Sequence, residues 1–577
     1  MKTMTPEKIK LDDMQPWSTY RFQMAKAFPS PFKEDKDPLA DGIALAVDAI
    51  DQLKPDKTGG PAFLGTNPAL TIDFENVKKS HLQQKMGNTN KVIEQVIQLF
   101  EGMPNWGHPL TMNNVNPQAN TAAIVAAILT EIFAPNILEG EYAWNTHQAE
   151  LESGGILANL FGWDPQQSGC VYTYGGSGCW TYHLKYALTR VLPDSRRKGI
   201  RTNAKVLCSQ QAHYTMLNST DWMGLGMDNI IKIETDQDTN AMDLFKLEGV
   251  LKDCSNKSIP VVSVVCTMGT TDACAFDNVE EVRRLIEKYP NPKEFGKTIL
   301  YCDSVIGWSW IVFKNYDFIL NPLGFSKEVL PFIEENYNAV KGIFYADCFG
   351  VDFHKSGFSP YISSTFVYKN AKEFESLLSR EQAVYLQPRS PYNPMDYTLE
   401  VSRAATGSMA GWATLKYFGH EGFQSVLGGI LENKVFLKEQ IDNNPEMICV
   451  NPLDYGFVTL LRIYPKDSNA SNQFYEELHN PAYREDLIRH NKLTHSIGDK
   501  LFAWFRSEKR INGMCTPYLS FTTGFRTTTY NRDAKDKDAV IYALKIFPLN
   551  VHITAAVMTH VLDCIVAARD EVLLTQI

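Results

Sequence analysis

The sequence has little that would mark a metal-binding, nucleic-acid-binding or membrane protein. Its 11 cysteines stand singly, with no Cys-x-x-Cys pair and no Cys/His cluster, which argues against a zinc site and a disulfide framework. The formal net charge is −10, so no basic surplus is present to neutralise a phosphate backbone. We therefore expect neither a metal nor a nucleic acid as a ligand.

Long uncharged apolar runs are also missing. The most apolar stretches are interrupted by Glu131 within residues 122–138 and by Asp563 within residues 551–568, so both predict buried helices rather than membrane spans. Residues 1–7 lack the apolar core and cleavage site of a signal peptide. Together with the scattered cysteines, this pattern predicts a cytoplasmic protein that is not bound to a membrane.

The sequence does contain a large α/β pattern. With 577 residues and a hydrophobic composition of 44%, the chain can bury more than one core. Short apolar runs rich in β-branched residues alternate with helical segments, which is typical of strands buried on both faces of a mostly parallel sheet. These runs are residues 205–208, 229–233, 261–266 and 298–302.

The same pattern predicts three parts along the chain. Residues 1–115 form an N-terminal helical arm, residues 116–410 form a large α/β domain with a mostly parallel central sheet, and residues 411–577 form a small C-terminal α+β domain. In an open parallel sheet, ligands bind at the carboxyl ends of the strands. Residues that carry chemistry are therefore expected directly after strands.

One lysine directly follows an apolar strand. Lys355 stands in Asp352-Phe353-His354-Lys355-Ser356-Gly357. A lysine withdrawn from water has a depressed pKa and becomes nucleophilic, so it can hold an aldehyde cofactor as a Schiff base. A His-Lys pair by itself is far more often a solvated surface pair. Other positions therefore have to decide between these interpretations.

A glycine-rich turn precedes a predicted helix. It reads Thr173-Tyr174-Gly175-Gly176-Ser177-Gly178. Backbone N–H groups and the positive end of the helix dipole favour an anion there, and the Ser177 hydroxyl adds a further donor. The turn matches neither the P-loop nor the dinucleotide spacing, and such turns are often only loops. Its functional interpretation is a phosphate cradle.

His213 and Asp303 also follow predicted strands. A pyridine ring that serves as an electron sink needs a carboxylate beside its nitrogen and a flat side chain against its face, and these two residues suit those roles. Each has an ordinary alternative. An aspartate at the end of a strand is usually a turn or cap residue, and a single histidine is usually a hydrogen-bonded core residue.

In combination, these segments resemble the group II pyridoxal 5'-phosphate (PLP)-dependent amino-acid decarboxylases, the family of aromatic amino-acid, glutamate and cysteine-sulfinate decarboxylases. The resemblance runs in order over residues 108–422. It implies the fold type I, aspartate aminotransferase-like architecture of PLP enzymes and PLP as the cofactor. It also implies a carboxy-lyase of amino-acid metabolism, and a homodimer with active sites at the subunit interface.

The family's cofactor motifs have counterparts in this sequence. Its T-S-G-G-S-E-A-N loop corresponds to residues 173–180, which read T-Y-G-G-S-G-C-W, its ring-stacking histidine matches His213, and its D-P-H-K lysine matches Lys355. The resemblance further implies that Ser364 binds phosphate across the subunit boundary. The full set of cofactor-binding residues implied is Gly175, Gly176, Ser177, His213, Thr271, Asp303, Val305, His354, Lys355 and Ser364.

The sequence departs from the family pattern at two places. Gly178-Cys179-Trp180 replaces E-A-N, and Asp303-Ser304-Val305 replaces D-A-A. The wall beside the cofactor is therefore altered, and the substrate of any one relative does not transfer to this chain.

The resemblance also assigns the reaction. In the family, a tyrosine on a mobile loop protonates the substrate carbon after CO2 has left, and Tyr385 falls at that place. His213 is the alternative proton donor. The implied catalytic residues are Lys355, His213, Asp303 and Tyr385.

Three residues bear on the substrate. Asn113 and Asn114 occupy the place where family members carry substrate-pocket residues, although asparagine is also an ordinary turn residue. Arg403 would bind a carboxylate through two hydrogen bonds if it were buried near the site, or it would form a structural ion pair. Together they favour an acidic substrate such as glutamate, aspartate or cysteine sulfinate.

Several alternatives stay open. Three of them are enzymes: an aromatic L-amino-acid decarboxylase, a PLP-dependent carbon–carbon lyase of the same fold, and an oxidative aldehyde-forming variant. Tyr385 weighs against the last of these. Outside enzymology, the alternative is a non-catalytic scaffold with the PLP fold. Such a scaffold is expected to lose the lysine or the aspartate, and both are present.

Overall fold

The computed structural model describes residues 16–33, 37–66, 72–83, 85–380, 390–451 and 455–575. The chain forms two compact units, which divide between Asn105 and Trp106. The predicted domain boundaries after residues 115 and 410 remain predictions. No helix in these ranges is long and apolar enough to cross a membrane.

The first unit is mainly helical, and polar caps begin its helices. The Asp37 side chain accepts a hydrogen bond from the Leu39 amide, and the Asn88 side chain accepts one from the Lys91 amide. The helices are α1 (Trp17–Lys26), α2 (Pro38–Asp51), α3 (Phe74–Val77) and α4 (Thr89–Gln98).

The second unit contains a seven-stranded central sheet. Its strands are β1 (Gly169–Thr173), β2 (Lys205–Ser209), β3 (Ile230–Ile233), β4 (Val261–Thr267), β5 (Ile299–Asp303), β6 (Cys348–Asp352) and β7 (Ser364–Tyr368). The strand order is β1-β7-β6-β5-β4-β2-β3. Only β7 runs antiparallel, to β1 and β6, among the strand pairs of this sheet that the structure describes. The prediction of a mostly parallel central sheet is confirmed.

Helices cover both faces of this sheet. They are α5 (Thr121–Phe133), α6 (Gly140–Ala143), α7 (His147–Leu160), α8 (Gly176–Val191), α9 (Ser195–Lys198), α10 (Thr215–Trp222), α11 (Leu244–Asn256), α12 (Val279–Lys288), α13 (Leu330–Val340) and α14 (Ala371–Leu378). Every residue of β4 is buried. Val262 packs in the cluster that includes α8, whereas Val264 packs in the cluster that includes α7 and α12. Burial on both faces is why the strands are continuous apolar runs.

The C-terminal part contains a long helix and a smaller sheet. Helix α15 (Thr406–Asp442) is kinked at Gly419, where φ is 52° and ψ is −158°. The remaining elements are β8 (Met447–Cys449), β9 (Thr459–Ile463), α16 (Ala470–His479), α17 (Arg484–Arg506), β10 (Arg510–Ile511), β11 (Met514–Cys515), β12 (Ser520–Thr527), β13 (Val540–Ile546) and α18 (Ala555–Thr575). The four-stranded antiparallel sheet has the order β12-β13-β9-β8.

The small sheet is anchored to the carboxyl edge of the central sheet. Asp272, in the loop after β4, forms an ion pair of 2.6 Å with Lys545 of β13 and accepts a hydrogen bond of 2.9 Å from Thr522 of β12. Met112 joins the same sheet, because its amide donates to Tyr518 and its carbonyl accepts from the Phe547 amide. These contacts fix the elements that surround the site.

Candidate active site

A cavity of about 200 Å3 lies at the carboxyl ends of β5 and β6. Most of the residues that the sequence assigned to the cofactor contribute to its wall. The lining consists of Gly176, Ser177, Trp180, His213, Thr215, Thr267, Gly269, Thr271, Asp303, Val305, Ile306, Asp352, His354, Lys355 and Tyr361. The structure therefore brings the lysine, the aspartate, the histidine and the glycine-rich turn into one place.

Lys355 forms an ion pair inside this cavity. Its Nζ lies 2.8 Å from Oδ2 of Asp352, whose side chain is 1% exposed. Burial by itself lowers the pKa of Lys355, but the Asp352 carboxylate outweighs burial, and the pKa lies above its ordinary value. The expectation of a depressed pKa is therefore wrong for the chain alone, because sequence reasoning did not pair the lysine with the carboxylate three residues earlier.

The same carboxylate organises its neighbours. Oδ1 of Asp352 accepts a hydrogen bond of 2.6 Å from Ser364, and Oδ2 lies 3.4 Å from Nε2 of His354. Burial raises the pKa of Asp352, but the charge of Lys355 and these contacts bring it below the usual value. Ser364 was expected to bind phosphate across a subunit boundary. In the structure it is fully buried on β7, and its hydroxyl is directed to Asp352.

The two carboxylate oxygens of Asp303 have different surroundings. Oδ2 accepts a hydrogen bond of 2.8 Å from the indole N–H of Trp180. Oδ1 is buried and has no hydrogen-bond partner among the residues that the structure describes. Burial raises the pKa of Asp303, and the Trp180 hydrogen bond opposes this rise. A protonated ring nitrogen is the donor that this unpartnered oxygen suits, so the residues present fit PLP.

The glycine-rich turn has the geometry of an anion cradle. Gly175 ends the connection from β1 to α8 with a φ of 92°, which side-chain-bearing residues rarely adopt. A Cβ atom at Gly178 would collide with the Thr173 side chain in its present conformation, so the start of α8 packs closely against the end of β1. The N-terminus of the 16-residue helix α8 therefore lies close to the strand, and Gly176 and Ser177 line the cavity.

His213 presents a ring of defined tautomer. Its Nδ1 accepts a hydrogen bond of 3.2 Å from the Thr215 amide and lies 2.7 Å from the Thr215 hydroxyl. Burial lowers the pKa of His213, so the neutral ring is favoured. Because Nδ1 is an acceptor, the neutral ring carries its proton on Nε2. His213 thus supplies a flat ring with one N–H group in the cavity wall that also contains Thr271.

Tyr385 lies outside the described residues, and its role stays a prediction. The structure adds another phenol that sequence reasoning missed. Tyr361 lines the cavity, and its ring centroid lies 3.9 Å from that of His354. Its hydroxyl donates to the side chain of Asn116 at 3.3 Å. The available signal was its position six residues after Lys355, but a single tyrosine in a loop carries little information.

Arg403 is in a structural ion pair and does not line the cavity. Its Nη1 lies 3.2 Å from Oε2 of Glu150, and its Nη2 contacts Oε1 of the same carboxylate and donates to the Tyr172 carbonyl at 3.0 Å. Burial lowers the pKa of Arg403, but the Glu150 charge outweighs burial and raises it. Of the two roles considered for Arg403, the structure contains the structural one.

Asn113 and Asn114 lie beside the cavity but do not line it. Oδ1 of Asn113 is buried and has no partner within the described ranges. Asn114 is exposed, has a φ of 52°, and accepts a hydrogen bond of 3.2 Å from Ser520. Asn116, two residues further along, is the residue of this segment that reaches a cavity residue, Tyr361. Their role in substrate binding stays a prediction.

Comparisons with known proteins give PLP-dependent decarboxylases as relatives. Residues 73–307 match the family model of the pyridoxal-dependent decarboxylase conserved domain. L-tyrosine decarboxylase of Enterococcus faecalis is 24% identical over 52% of this chain and 49% of its own length. Acidic amino acid decarboxylase GADL1 of Bos taurus is 21% identical over 67% of this chain and 70% of its own length. The chain thus spans about half the length of the first of these curated relatives.

Solved structures show the same fold. The apo form of mouse CSAD is 16% identical with a TM-score of 0.71, and the match covers 92% of this chain and 98% of CSAD. Oryza sativa TDC with PLP and tryptamine is 14% identical with a TM-score of 0.73, and that match covers 94% of this chain and 99% of TDC.

The fold and the cavity define a PLP-dependent protein of fold type I. Within that class, residues 73–307 are similar to the conserved domain of the pyridoxal-dependent decarboxylases. The predictions of family, fold class and cofactor are confirmed.

Proposed function

We propose that this protein is a PLP-dependent carboxy-lyase that converts an L-amino acid to the corresponding amine and CO2. One observation carries the proposal: a single buried cavity contains both Lys355 and an Asp303 carboxylate with one unpartnered oxygen. A scaffold protein that had lost catalysis would have no need of this pair. The family match supports cleavage of the bond between Cα and the carboxylate over cleavage of another carbon–carbon bond of the substrate.

Each part of the cavity suits one part of the cofactor. Lys355 would hold the aldehyde carbon, Asp303 would accept the ring nitrogen's N–H, and Ser177 with the N-terminus of α8 would hold the phosphate. His213 would lie against the ring. When bound, PLP supplies an electron sink that accepts the electron pair of the Cα–carboxylate bond as CO2 leaves. The negative charge of Asp303 favours that withdrawal by keeping the ring nitrogen protonated.

The departing CO2 must be replaced at Cα by a proton. Tyr385 is the proposed donor, on the resemblance of its loop to that of the family. His213 is the alternative, since its Nε2 carries a proton in the neutral ring. Tyr361 is a further phenol in the cavity wall. The Tyr361 hydroxyl donates its proton in a hydrogen bond to Asn116. Tyr361 can therefore protonate the substrate only after that hydrogen bond opens.

The proposed substrate is an acidic amino acid. The relatives do not select a substrate, because tyrosine, diaminobutyrate and acidic amino acid decarboxylases all match at 20–25% identity. The preference for an acidic substrate partly depended on Arg403, but Arg403 forms an ion pair with Glu150. Support comes instead from a second buried arginine, Arg526, which lines a cavity that adjoins the cofactor cavity. The runner-up is an aromatic amino acid, because tyrosine decarboxylases are among the relatives.

A homodimer is the proposed assembly. Helix α5 is strongly apolar, yet Leu129 and Phe133 on it are 55% and 85% exposed. Beside the cavity, Tyr361 is 61% exposed and Ile362 is 53% exposed. Apolar surface of this kind is typical of a subunit interface.

The proposed location is the cytoplasm, since all 11 cysteines are free thiols.

The direct test is CO2 release from a panel of the common amino acids with added PLP. We expect release from at least one acidic member, with the amine as the other product. Lys355→Ala is the control, because it removes the covalent anchor and leaves the phosphate cradle intact. Activity that survives in Lys355→Ala would refute the assignment.

A further inference from the structure

A second cavity, of about 510 Å3, adjoins the cofactor cavity. The two cavities share His213 and Thr271 in their walls. Its remaining wall comes from the loops after β2 and β4, from β3, and from β12 of the small sheet. This wall includes Lys232, Asp272 and Arg526. A volume of several hundred cubic ångströms is typical of a small-molecule site.

Arg526 is the buried cation of this cavity. Arg526 as a whole is 8% exposed. Nη2 donates to the backbone carbonyl and to the side-chain oxygen of Gln237, both at 2.8 Å. The Nε–H group is buried and has no hydrogen-bond partner in the described part of the chain. The guanidinium therefore keeps a donor without a partner, and Arg526 is one of the residues that line the cavity.

The carboxylates near Arg526 do not neutralise it at close range. Asp236 and Asp238 raise its pKa only through space, and no carboxylate oxygen of the described residues forms an ion pair with it. One oxygen of Asp236 accepts hydrogen bonds from the Asp238 amide, the Thr239 amide and the Thr239 hydroxyl. Burial lowers the pKa of Arg526 to about 10, the direction expected of a cation without a close counter-charge.

The remaining charges in the cavity leave a positive excess. Asp272 lines the wall, but it is paired with Lys545 at 2.6 Å and accepts from the Thr522 hydroxyl at 2.9 Å. Lys232 is exposed and supplies a second cation to the cavity wall. A small anion in this cavity would thus lie against a wall that contains a buried guanidinium and an ammonium group.

We propose that the Arg526 cavity is a carboxylate subsite, which binds the acidic group of a small ligand through the unused donors of Arg526. The inference rests on the proposed decarboxylase function where it assigns that group to the substrate's side chain. A planar guanidinium binds a carboxylate or a sulfinate through charge-assisted hydrogen bonds, and a buried cation is stabilised by such a partner. The shared His213 and Thr271 place this subsite next to the reacting centre.

The test is calorimetric titration of the PLP-loaded enzyme with glutarate, which measures binding without turnover. We expect Arg526→Gln to weaken glutarate binding at least about tenfold, with Arg526→Lys between the two. Arg532→Gln is the matched control, because it removes an exposed arginine from the same segment. Thermal unfolding of each variant identifies any that fail to fold, and Arg526→Lys then carries the comparison.

A second measurement identifies the source of the acid. If the group belongs to the substrate, glutarate competes with the acidic amino acid, and Arg526→Gln lowers kcat/KM for acidic amino acids while leaving that for neutral ones unchanged. If a separate small acid is the ligand, binding depends on Arg526 but does not compete. Glutarate binding that is absent or equal in Arg526→Gln and the parent would overturn the subsite. That result would leave the decarboxylase proposal standing, because CO2 release is assayed separately.

Discussion

Arg403 and Arg526 are both nearly withdrawn from water, at 5% and 8% exposed, yet their surroundings differ. The Arg403 guanidinium faces the Glu150 carboxylate and two backbone carbonyls. Arg526 has only the oxygens of Gln237 as hydrogen-bond partners in the described ranges, and no carboxylate there pairs with it, although both arginines leave a buried Nε–H without a described partner. A buried charge whose partners lie within the chain stabilises the fold, whereas a buried charge without a close counter-charge is suited to a ligand.

The cofactor cavity repeats this contrast at a smaller scale. Asp352 is satisfied on both oxygens, by Ser364 and by Lys355. Asp303 is satisfied on one oxygen by Trp180 and unpartnered on the other. In each of the two adjoining cavities, the wall contains a charged side chain with a buried atom that has no described partner. Four substitutions separate the charged groups that are paired within the chain from those that are not.

The largest effect is expected for Glu150→Gln. Removing this carboxylate leaves the Arg403 charge buried without its counter-ion, so we expect the free energy of unfolding to fall by about 3–5 kcal/mol. Chemical denaturation measures it. Glu152→Gln on the same helix is the matched control, because Glu152 pairs at 2.8 Å with a Lys416 that is 49% exposed, and it should cost under about 1 kcal/mol. Equal losses in the two variants would contradict the structural role of the Arg403 pair.

Asp303→Asn is expected to act on turnover. Asparagine keeps the shape and the hydrogen bond from Trp180, but it lacks the charge that would keep the ring nitrogen protonated. We expect kcat for CO2 release to fall about 100-fold or more at saturating PLP. Asp277→Asn is the control, since Asp277 is a buried aspartate outside the cavity that accepts hydrogen bonds from two backbone amides. Turnover of Asp303→Asn equal to that of the parent would remove Asp303 from this role.

Trp180→Phe should have a smaller effect on the same carboxylate. Phenylalanine retains most of the buried ring but cannot donate to Asp303, and a hydrogen bond to a charged group contributes about 1.5–3 kcal/mol. We expect PLP to bind about tenfold more weakly or worse, with a shifted visible absorption band, measured by titration of the apoprotein. Tyr301→Phe is the matched control, because the Tyr301 hydroxyl is buried without a described partner. A loss of PLP affinity as large in Tyr301→Phe would indicate packing instead of positioning.

The cofactor cavity could be predicted from the sequence because its parts are local. Asp303 ends a strand, Lys355 and His213 follow strands within four residues, and parallel strands end at one edge of the sheet. The continuous apolar runs also predicted the central strands, since strands buried on both faces have little polar alternation. Each of these inferences needs only a short stretch of sequence and its neighbouring elements.

The charge pairings could not be predicted in the same way. Arg403 and its partner Glu150 are 253 residues apart, and the Trp180–Asp303 hydrogen bond joins residues 123 positions apart. No periodicity or motif spacing encodes such distant side-chain contacts, because they arise only when helices and strands pack. For that reason Arg403 was considered for the substrate and Arg526 was not, although the packed structure places only Arg526 in a cavity wall beside the cofactor cavity.

Arg526→Gln should change the stability of the protein least. The substitution removes a buried cation that lacks a close counter-charge, and that gain offsets the loss of its hydrogen bonds to Gln237. We expect the free energy of unfolding to stay within about 1 kcal/mol of the parent, in contrast to Glu150→Gln. Glutarate at about tenfold its Kd should then add about 1.4 kcal/mol to the parent and almost nothing to the variant. A destabilisation as large as that of Glu150→Gln would mean that Arg526 is structural, and the contrast between the two buried arginines would not hold.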